Sequence, residues 1–308
     1  MQTDNKWMLN RFALSPKLSK LVTNIRYLLR SGSTVRRSPQ RGMVLIPRII
    51  LYNMNTTEFD TLNPPQNFTW KWADLFWILL GTGLIFLLGL TLYILSLGKG
   101  GFFPQKLSQP TMELSLVLAA LEAVSLIGGV YLLGIRRRKQ GWEAVGLRPA
   151  KRHWILIATI ITLIAIPLIS IITILLFLVF KYPLVNPQLE FLLPEGFTQL
   201  GALGMLILAG VLAPFGEELL FRGVFYPLLR DRVGVWPGVL LSSLIFGIIH
   251  GDITVGLTAF LLGIILALVY EYSRSLWTSI LVHAINNSAK IALLYLLIKL
   301  GATGEFGL

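Results

Sequence analysis

The chain has 308 residues, of which 55% are hydrophobic and only 14% are charged, and its formal net charge is +12. So small a share of charged residues excludes an ordinary soluble domain and predicts a membrane protein with several spans. Because the basic residues lie in the first seventy positions and in short loops beside apolar stretches, they indicate topology and contact with anionic lipid, and no nucleic-acid partner is expected.

Residues 1–70 form a basic leader that is predicted to be poorly ordered. Its apolar runs are interrupted by Arg or Pro and are too short to span a bilayer, so no secretory signal is evident. An Arg- and Ser-rich, acid-poor leader is also typical of organelle transit peptides. A further interpretation is that residues 1–42 do not belong to the mature protein, with Met43 or Met54 as its true start.

Seven apolar stretches follow the leader, each near the ~20 residues that cross a bilayer. They predict an all-α fold: a polytopic membrane protein with about seven helices and one transmembrane domain over residues 71–308. The loop 136–153 is rich in Arg and Lys, so the positive-inside rule places it in the cytoplasm, together with the leader. The predicted spans are 75–97, 114–135, 154–180, 199–229, 235–251, 253–271 and 276–299.

Polar and ionisable side chains interrupt three of the last four predicted spans. Burial of each such side chain in lipid is unfavourable, so we interpret the cluster as a candidate functional site. If the chain turns at residues 231–235, Glu217 and His250 lie opposite each other in an antiparallel hairpin, about 20 Å from the turn at ~1.5 Å per residue. By the same rise, His283 and Asn287 lie about 12 and 18 Å from the turn at Ser275. Four polar residues therefore reach similar depth.

Helical spacing assigns these side chains to faces. Glu218 and Arg222 are i, i+4 neighbours with the acid first, which favours an ion pair. Glu217 points about 100° away from Glu218, so it lacks a fixed cation and can serve as a general base facing the next span. His283 and Asn287 share one face of their helix, where the Asn287 amide can donate to a developing oxyanion.

The residue types limit the chemistry of this cluster. The chain has no cysteine, which excludes disulfides, thiolate ligands and a cysteine nucleophile. Neither a G-x-S-x-G turn nor an H-E-x-x-H helix is present. A carboxylate with two imidazoles and an amide can activate water directly, or it can hold a metal that activates water. Glu122, which has no charged partner in the second span, is predicted to make a helix-packing hydrogen bond in its neutral form rather than relay protons.

Three motifs occur in the order Glu217-Glu218-x-x-x-Arg222, Phe246-x-x-x-His250 and His283-x-x-x-Asn287. Their order and spacing resemble the signature of the CPBP intramembrane proteases, a family of CAAX prenyl endopeptidases and bacteriocin-processing or immunity proteins. The resemblance covers residues 199–299. It implies that Glu217 activates the attacking water with His250. It also implies that His283 and Asn287 stabilise the oxyanion, with Glu218, Arg222 and Phe246 as supporting residues.

The resemblance leaves the metal open, because His250 and His283 are candidate ligands of Zn²⁺ while a metal-free glutamate mechanism is the alternative. The predicted function is hydrolysis of a peptide bond of a membrane-associated substrate, prenylated or of leader type, in a cavity open to the cytoplasm. The expected location is a bacterial plasma membrane, with a plastid membrane as the alternative. The competing functions are an ion- or proton-coupled transporter and a non-proteolytic immunity or scaffold protein.

Overall fold

The structure is a computed structural model, and it describes residues 68–97, 111–182, 191–192 and 198–300. The predicted leader therefore lies almost entirely outside the described residues. These described segments contain helices and no strand, which confirms the all-α prediction. The helices are α1 (Trp72–Ser96), α2 (Met112–Arg136), α3 (Arg152–Phe180), α4 (Gln199–Val233), α5 (Val235–Ile248), α6 (Ile253–Ser273) and α7 (Leu276–Lys299).

Six of these helices are long and apolar enough to cross a membrane, which makes the chain an integral membrane protein. The exception is α5, whose 14 residues rise only about 21 Å. The stretch predicted over residues 235–251 ends early because the chain turns at Gly251, where φ is 71°. Asp252 then begins α6 by accepting hydrogen bonds from the backbone N–H groups of Thr254 and Val255, at 2.8 and 2.9 Å. His250 consequently lies in a turn and not within a helix.

The helices differ in how much of their apolar surface they bury. Of the most apolar 18 residues of each helix, 11% are buried inside the bundle in α1 and 22% in α3, compared with 44% in α6. A helix whose apolar surface stays uncovered by protein faces lipid. The second half of α4 is the centre of the bundle, because its side chains of Leu219, Val224 and Leu228 are fully buried. The polar motif of the fourth span therefore lies in the enclosed half of α4.

Glycines bring the central helices into close contact. A Cβ added at Gly216 of α4 would lie 2.9 Å from the Cβ of Leu126 and 3.5 Å from the carbonyl oxygen of Ala123, both on α2. Between α5 and α6, a Cβ at Gly247 would lie 2.6 Å from the carbonyl oxygen of Gly256. Small residues at helix contacts are typical of membrane proteins, where van der Waals packing holds helices together.

Replacing Gly216 with leucine is expected to destabilise the bundle, by about 1–3 kcal/mol as for other overpacked sites. The new side chain would collide with the Cβ of Leu126 on α2. This atom can move only together with the α2 backbone, unlike the end of a flexible side chain. Thermal unfolding in detergent measures the effect. Gly83→Leu is the matched control, since a Cβ at Gly83 of α1 meets nothing within 4 Å. Equal midpoints for the two variants would show that α2 and α4 are not in close contact at Gly216.

Polar contacts join the helix ends at one side of the bundle. Arg137, just after α2, pairs with Asp74 in the first turn of α1. Arg230 near the end of α4 donates to Glu271 near the end of α6, with both nitrogen–oxygen distances 2.8 Å. Arg232 of α4 also donates to the carbonyl oxygen of Trp70, just before α1, at 3.4 Å. The start of α1 and the ends of α2, α4 and α6 thus meet on one side, as the predicted alternation of spans requires. That this side faces the cytoplasm stays a prediction.

Candidate active site

Glu218 is the centre of a buried hydrogen-bond network. Its Oε1 accepts from Arg222 Nη1 and from His283 Nδ1, both at 2.8 Å, and its Oε2 accepts from Ser279 Oγ at 2.6 Å. The predicted ion pair between Glu218 and Arg222 is therefore present, and the side chains of both residues are at most 1% exposed. Burial of this pair is compensated by the additional hydrogen bonds. The contact with His283, on a helix distant in sequence, shows that the pair also orients an imidazole.

Phe246 explains why the second motif begins with an aromatic residue. Its ring is 1% exposed and lies 4.6 Å from the guanidinium carbon of Arg222, a cation–π contact. The same ring meets the imidazoles of His250 and His283 edge to face, with centroid distances of 5.0 and 5.8 Å. Phe246 therefore packs against Arg222 of the ion pair and against both imidazole rings.

His283 is held so that its second nitrogen faces Glu217. Because Nδ1 is hydrogen bonded to Glu218, Nε2 points the other way and lies 3.8 Å from Glu217 Oε2. That distance is too long for a direct hydrogen bond and suits a bridging water or substrate atom. Glu217 Oε2 is buried and has no hydrogen-bond partner among the described residues. A buried carboxylate oxygen without a partner needs an explanation, and a role in chemistry is one.

His250 is placed differently from the prediction. Its Nδ1 is 2.7 Å from the backbone carbonyl oxygen of Phe246, which leaves Nε2 free. No hydrogen bond or ion pair joins it to Glu217 in the described part of the chain. The two residues line the same cavity but are not hydrogen bonded to each other, because the chain turns before His250 can continue α5. The close neighbour of Glu217 is His283 instead.

A cavity of about 170 Å³ brings the predicted residues together. Glu217, His250, His283 and Asn287 all line it, as the convergence at one depth requires. The Asn287 amide nitrogen lies 3.4 Å from the carbonyl oxygen of Ala209, which ties α7 to α4. Four further polar residues that the motifs do not include also line this cavity: Glu122, Thr258, Asn286 and Lys290. The spacing of Asn286 and Lys290 from His283 (i+3 and i+7) puts them on its face of α7, a signal present in the sequence.

A second, larger cavity of about 530 Å³ adjoins the first. Its walls are mostly apolar, with Phe86 and Leu87 from α1 and Leu126 from α2. Glu217, His250 and Glu122 line both cavities. The polar cluster is therefore open to an apolar space between α1, α2 and α4.

His250 and His283 are the predicted ligands of a metal ion. Each binds a protein oxygen through Nδ1 and leaves Nε2 available, an orientation found for zinc-binding histidines. However, the described residues contain no group of three or more His, Asp or Glu side chains arranged to hold a metal ion. Zinc binding by His250 and His283 stays a prediction.

The helical bundle and its buried acid–histidine cluster define a class, that of polytopic membrane proteins with an intramembrane polar site. Residues 199–289 match a family model described as "Type II CAAX prenyl endopeptidase Rce1-like". Over 84 residues the chain is 30% identical to the protein named "Putative membrane peptidase YdiL" of Bacillus subtilis (strain 168). This match covers 27% of the chain and 34% of that relative. The resemblance to the CPBP family that the three motifs indicate is confirmed over this segment.

The compared segment spans about a third of the length of the curated relative, 34%. No solved structure matches the chain. All three motifs lie within residues 199–289, so the family-model match coincides with the polar cluster. Glu122 of α2 lies outside the residues that this model matches.

Proposed function

We propose that the protein is an intramembrane endopeptidase that hydrolyses a peptide bond of a membrane-associated substrate with water activated by Glu217. The observation that carries the proposal is the unpaired, buried Oε2 of Glu217 on the wall of a cavity, 3.8 Å from an imidazole nitrogen whose orientation is fixed. The family match at residues 199–289 supports the same reaction type.

The first step is attack of water on the peptide carbonyl. The carboxylate of Glu217 takes a proton from the water. The free Nε2 of His250 accepts a hydrogen bond from the other hydrogen of this water and so orients the water. Both groups line the 170 Å³ cavity, where the proposal places the attacking water. The expected contribution of such a base is about 10²–10⁴-fold in rate.

The oxyanion that forms needs hydrogen-bond donors. His283 Nε2 lies 3.8 Å from Glu217 Oε2, and this nitrogen is a donor whenever it carries a hydrogen. The amide nitrogen of Asn287 has a second hydrogen beyond the one directed at Ala209. Preorganised donors of this kind stabilise the charge that develops in the transition state.

The apolar cavity supports a substrate that resides in the membrane. It adjoins the polar cluster and is lined largely by aromatic and aliphatic side chains, which suits a lipid chain or an apolar peptide segment next to the scissile bond. A prenylated substrate agrees with the name of the matching family model, and a leader-type peptide is the other proposed substrate. Cleavage at the cytoplasmic side of a bacterial plasma membrane remains part of the proposal.

The test is cleavage of peptides by the purified full-length chain in liposomes, using matched prenylated and unprenylated membrane peptides. Wild type is expected to cleave, and His250→Ala is expected to lose about 10²–10⁴-fold in rate. His153→Ala is the matched control, because His153 lies at the start of α3 and does not line the cavity. About one equivalent of zinc per chain in the same samples would support the metal mechanism.

No cleavage by folded wild type would contradict the proposal. Substrate or proton flux in sealed liposomes would then favour a transporter, and the absence of both activities would favour a scaffold. Cleavage that is unchanged in His250→Ala would contradict the role of His250 alone.

A further inference from the structure

Glu122 lies on α2, outside the three motifs, yet it lines both cavities together with Glu217 and His250. We propose that Glu122 is a further catalytic residue, the acid that protonates the leaving amine. This inference rests on the proposed protease function. It assigns a chemical step to a helix that lies outside the residues matched by the family model.

The position of Glu122 follows from the close contact between α2 and α4. A Cβ at Gly216 would lie 3.5 Å from the carbonyl oxygen of Ala123, so the two backbones nearly touch there. Glu122 is next to Ala123 in sequence, and Glu217 is next to Gly216. Glu122 and Glu217 both line both cavities. Two acids on contacting helices therefore face the same space.

The surroundings of Glu122 favour a protonated carboxyl group. No described Lys, Arg or His side chain forms an ion pair with it. A second negative charge beside Glu217 in a low-dielectric site is unfavourable, so two neighbouring carboxyl groups tend to share one negative charge. The other charged or titratable groups on the cavity walls are His250, His283 and Lys290. Of the two acids, Glu217 lies 3.8 Å from the His283 imidazole, which favours the negative charge on Glu217. The shared proton is therefore assigned to Glu122.

A purely structural role fits Glu122 less well. The sequence alone favours a helix-packing hydrogen bond, but in the structure the hydrogen bond at this residue involves its backbone carbonyl, which accepts from Ser125 Oγ at 3.0 Å. The side chain is instead exposed along the two cavities. An acid that is open to the reaction space and unpaired with any described cation is available for proton transfer.

Two proton transfers accompany cleavage of the peptide bond, one to Glu217 and one from Glu122. Glu217 takes one proton from water while the water oxygen bonds to the carbonyl carbon, which gives a tetrahedral oxyanion. The C=O bond re-forms as the C–N bond breaks, and the nitrogen takes the proton of Glu122. The products are a carboxylic acid and a neutral amine. The proton on Glu217 then returns to Glu122, through water in the cavity or directly, and restores both groups.

The test compares two substrates that differ only in the leaving group. An amide nitrogen must be protonated to leave, whereas the sulfur of a thioester leaves as a thiolate because the pKa of a thiol is only about 8.5. Glu122→Gln is expected to slow amide cleavage by about 10²–10⁴-fold, the usual effect of a general acid, and to change thioester cleavage by less than about threefold. Glu113→Gln, on the same helix and away from both cavities, is the control and should change neither rate.

Each outcome decides between the alternatives. An amide rate in Glu122→Gln equal to wild type, or an equal loss with both substrates, would overturn the role of Glu122 while the protease function stands. An inactive wild type would instead overturn the protease function. Retained thioester cleavage shows that the variant is folded. If Glu122→Gln does not fold, Glu122→Asp replaces it: the shorter acid should slow the amide selectively, and equal slowing of both substrates would overturn the proposal.

Discussion

Replacing Glu217 with glutamine is expected to lower the rate of peptide cleavage by about 10²–10⁴-fold. Glutamine keeps the size and shape of the side chain but cannot take a proton from water. The fold should be unaffected, because Glu217 Oε2 has no hydrogen-bond partner among the described residues that the change could remove. Single-turnover rates measure the effect on the chemical step, and thermal unfolding of the same samples measures stability.

The control for this variant is Glu143→Gln, in the loop between α2 and α3, which lines neither cavity around Glu217. It removes the same charge and should leave the rate unchanged. A rate for Glu217→Gln within about threefold of wild type would exclude Glu217 as the base, since removing a general base has a far larger effect.

Replacing Glu218 with leucine is expected to be the most destabilising of these changes, by about 3–5 kcal/mol, because it leaves a buried cation without its partner. Arg222 is 1% exposed, and Glu218 is its ion-pair partner at 2.8 Å. The double variant Glu218→Leu/Arg222→Leu removes both charges and should recover most of the stability. It should not recover activity, because the hydrogen bond that orients His283 is lost in both variants.

Unfolding in detergent, measured beside cleavage, tests this prediction. Asp231→Leu is the matched control: Asp231 forms a surface pair with Arg230 at 3.9 Å, and such pairs contribute about 0–1 kcal/mol. A double variant as unstable as Glu218→Leu would mean that packing, and not an unpaired charge, causes the loss. A double variant with normal activity would contradict the orienting role of Glu218.

Much of the fold follows from the sequence, because length and hydropathy constrain membrane helices strongly. The stretch predicted over 253–271 corresponds to α6 (Ile253–Ser273), and the other long stretches agree within a few residues. The early end of α5 was the main difference. Its signals are local, a glycine with positive φ followed by an aspartate that caps the next helix, and hydropathy averaged over a span does not register them.

The site was predictable to the extent that it depends on helical spacing. The pair Glu218–Arg222 follows from an i, i+4 relation within one helix. The hydrogen bond from His283 to Glu218 joins residues 65 positions apart, so it depends on how α4 and α7 pack, which spacing does not specify. The same limit explains Glu122. Its helix is far from the motifs in sequence, and the packing of α2 against α4, which includes the contact at Gly216, brings it to the cavities.

The most direct test of the account is mass spectrometry of a membrane peptide incubated in ¹⁸O-labelled water with purified wild type and with Glu217→Gln, both in liposomes. Hydrolysis of one peptide bond by wild type predicts two fragments, with ¹⁸O in the newly formed carboxyl group. The glutamine variant should leave the peptide intact over the same time. An intact peptide with folded wild type, or the same labelled fragments from both proteins, would contradict peptide hydrolysis by water activated at Glu217.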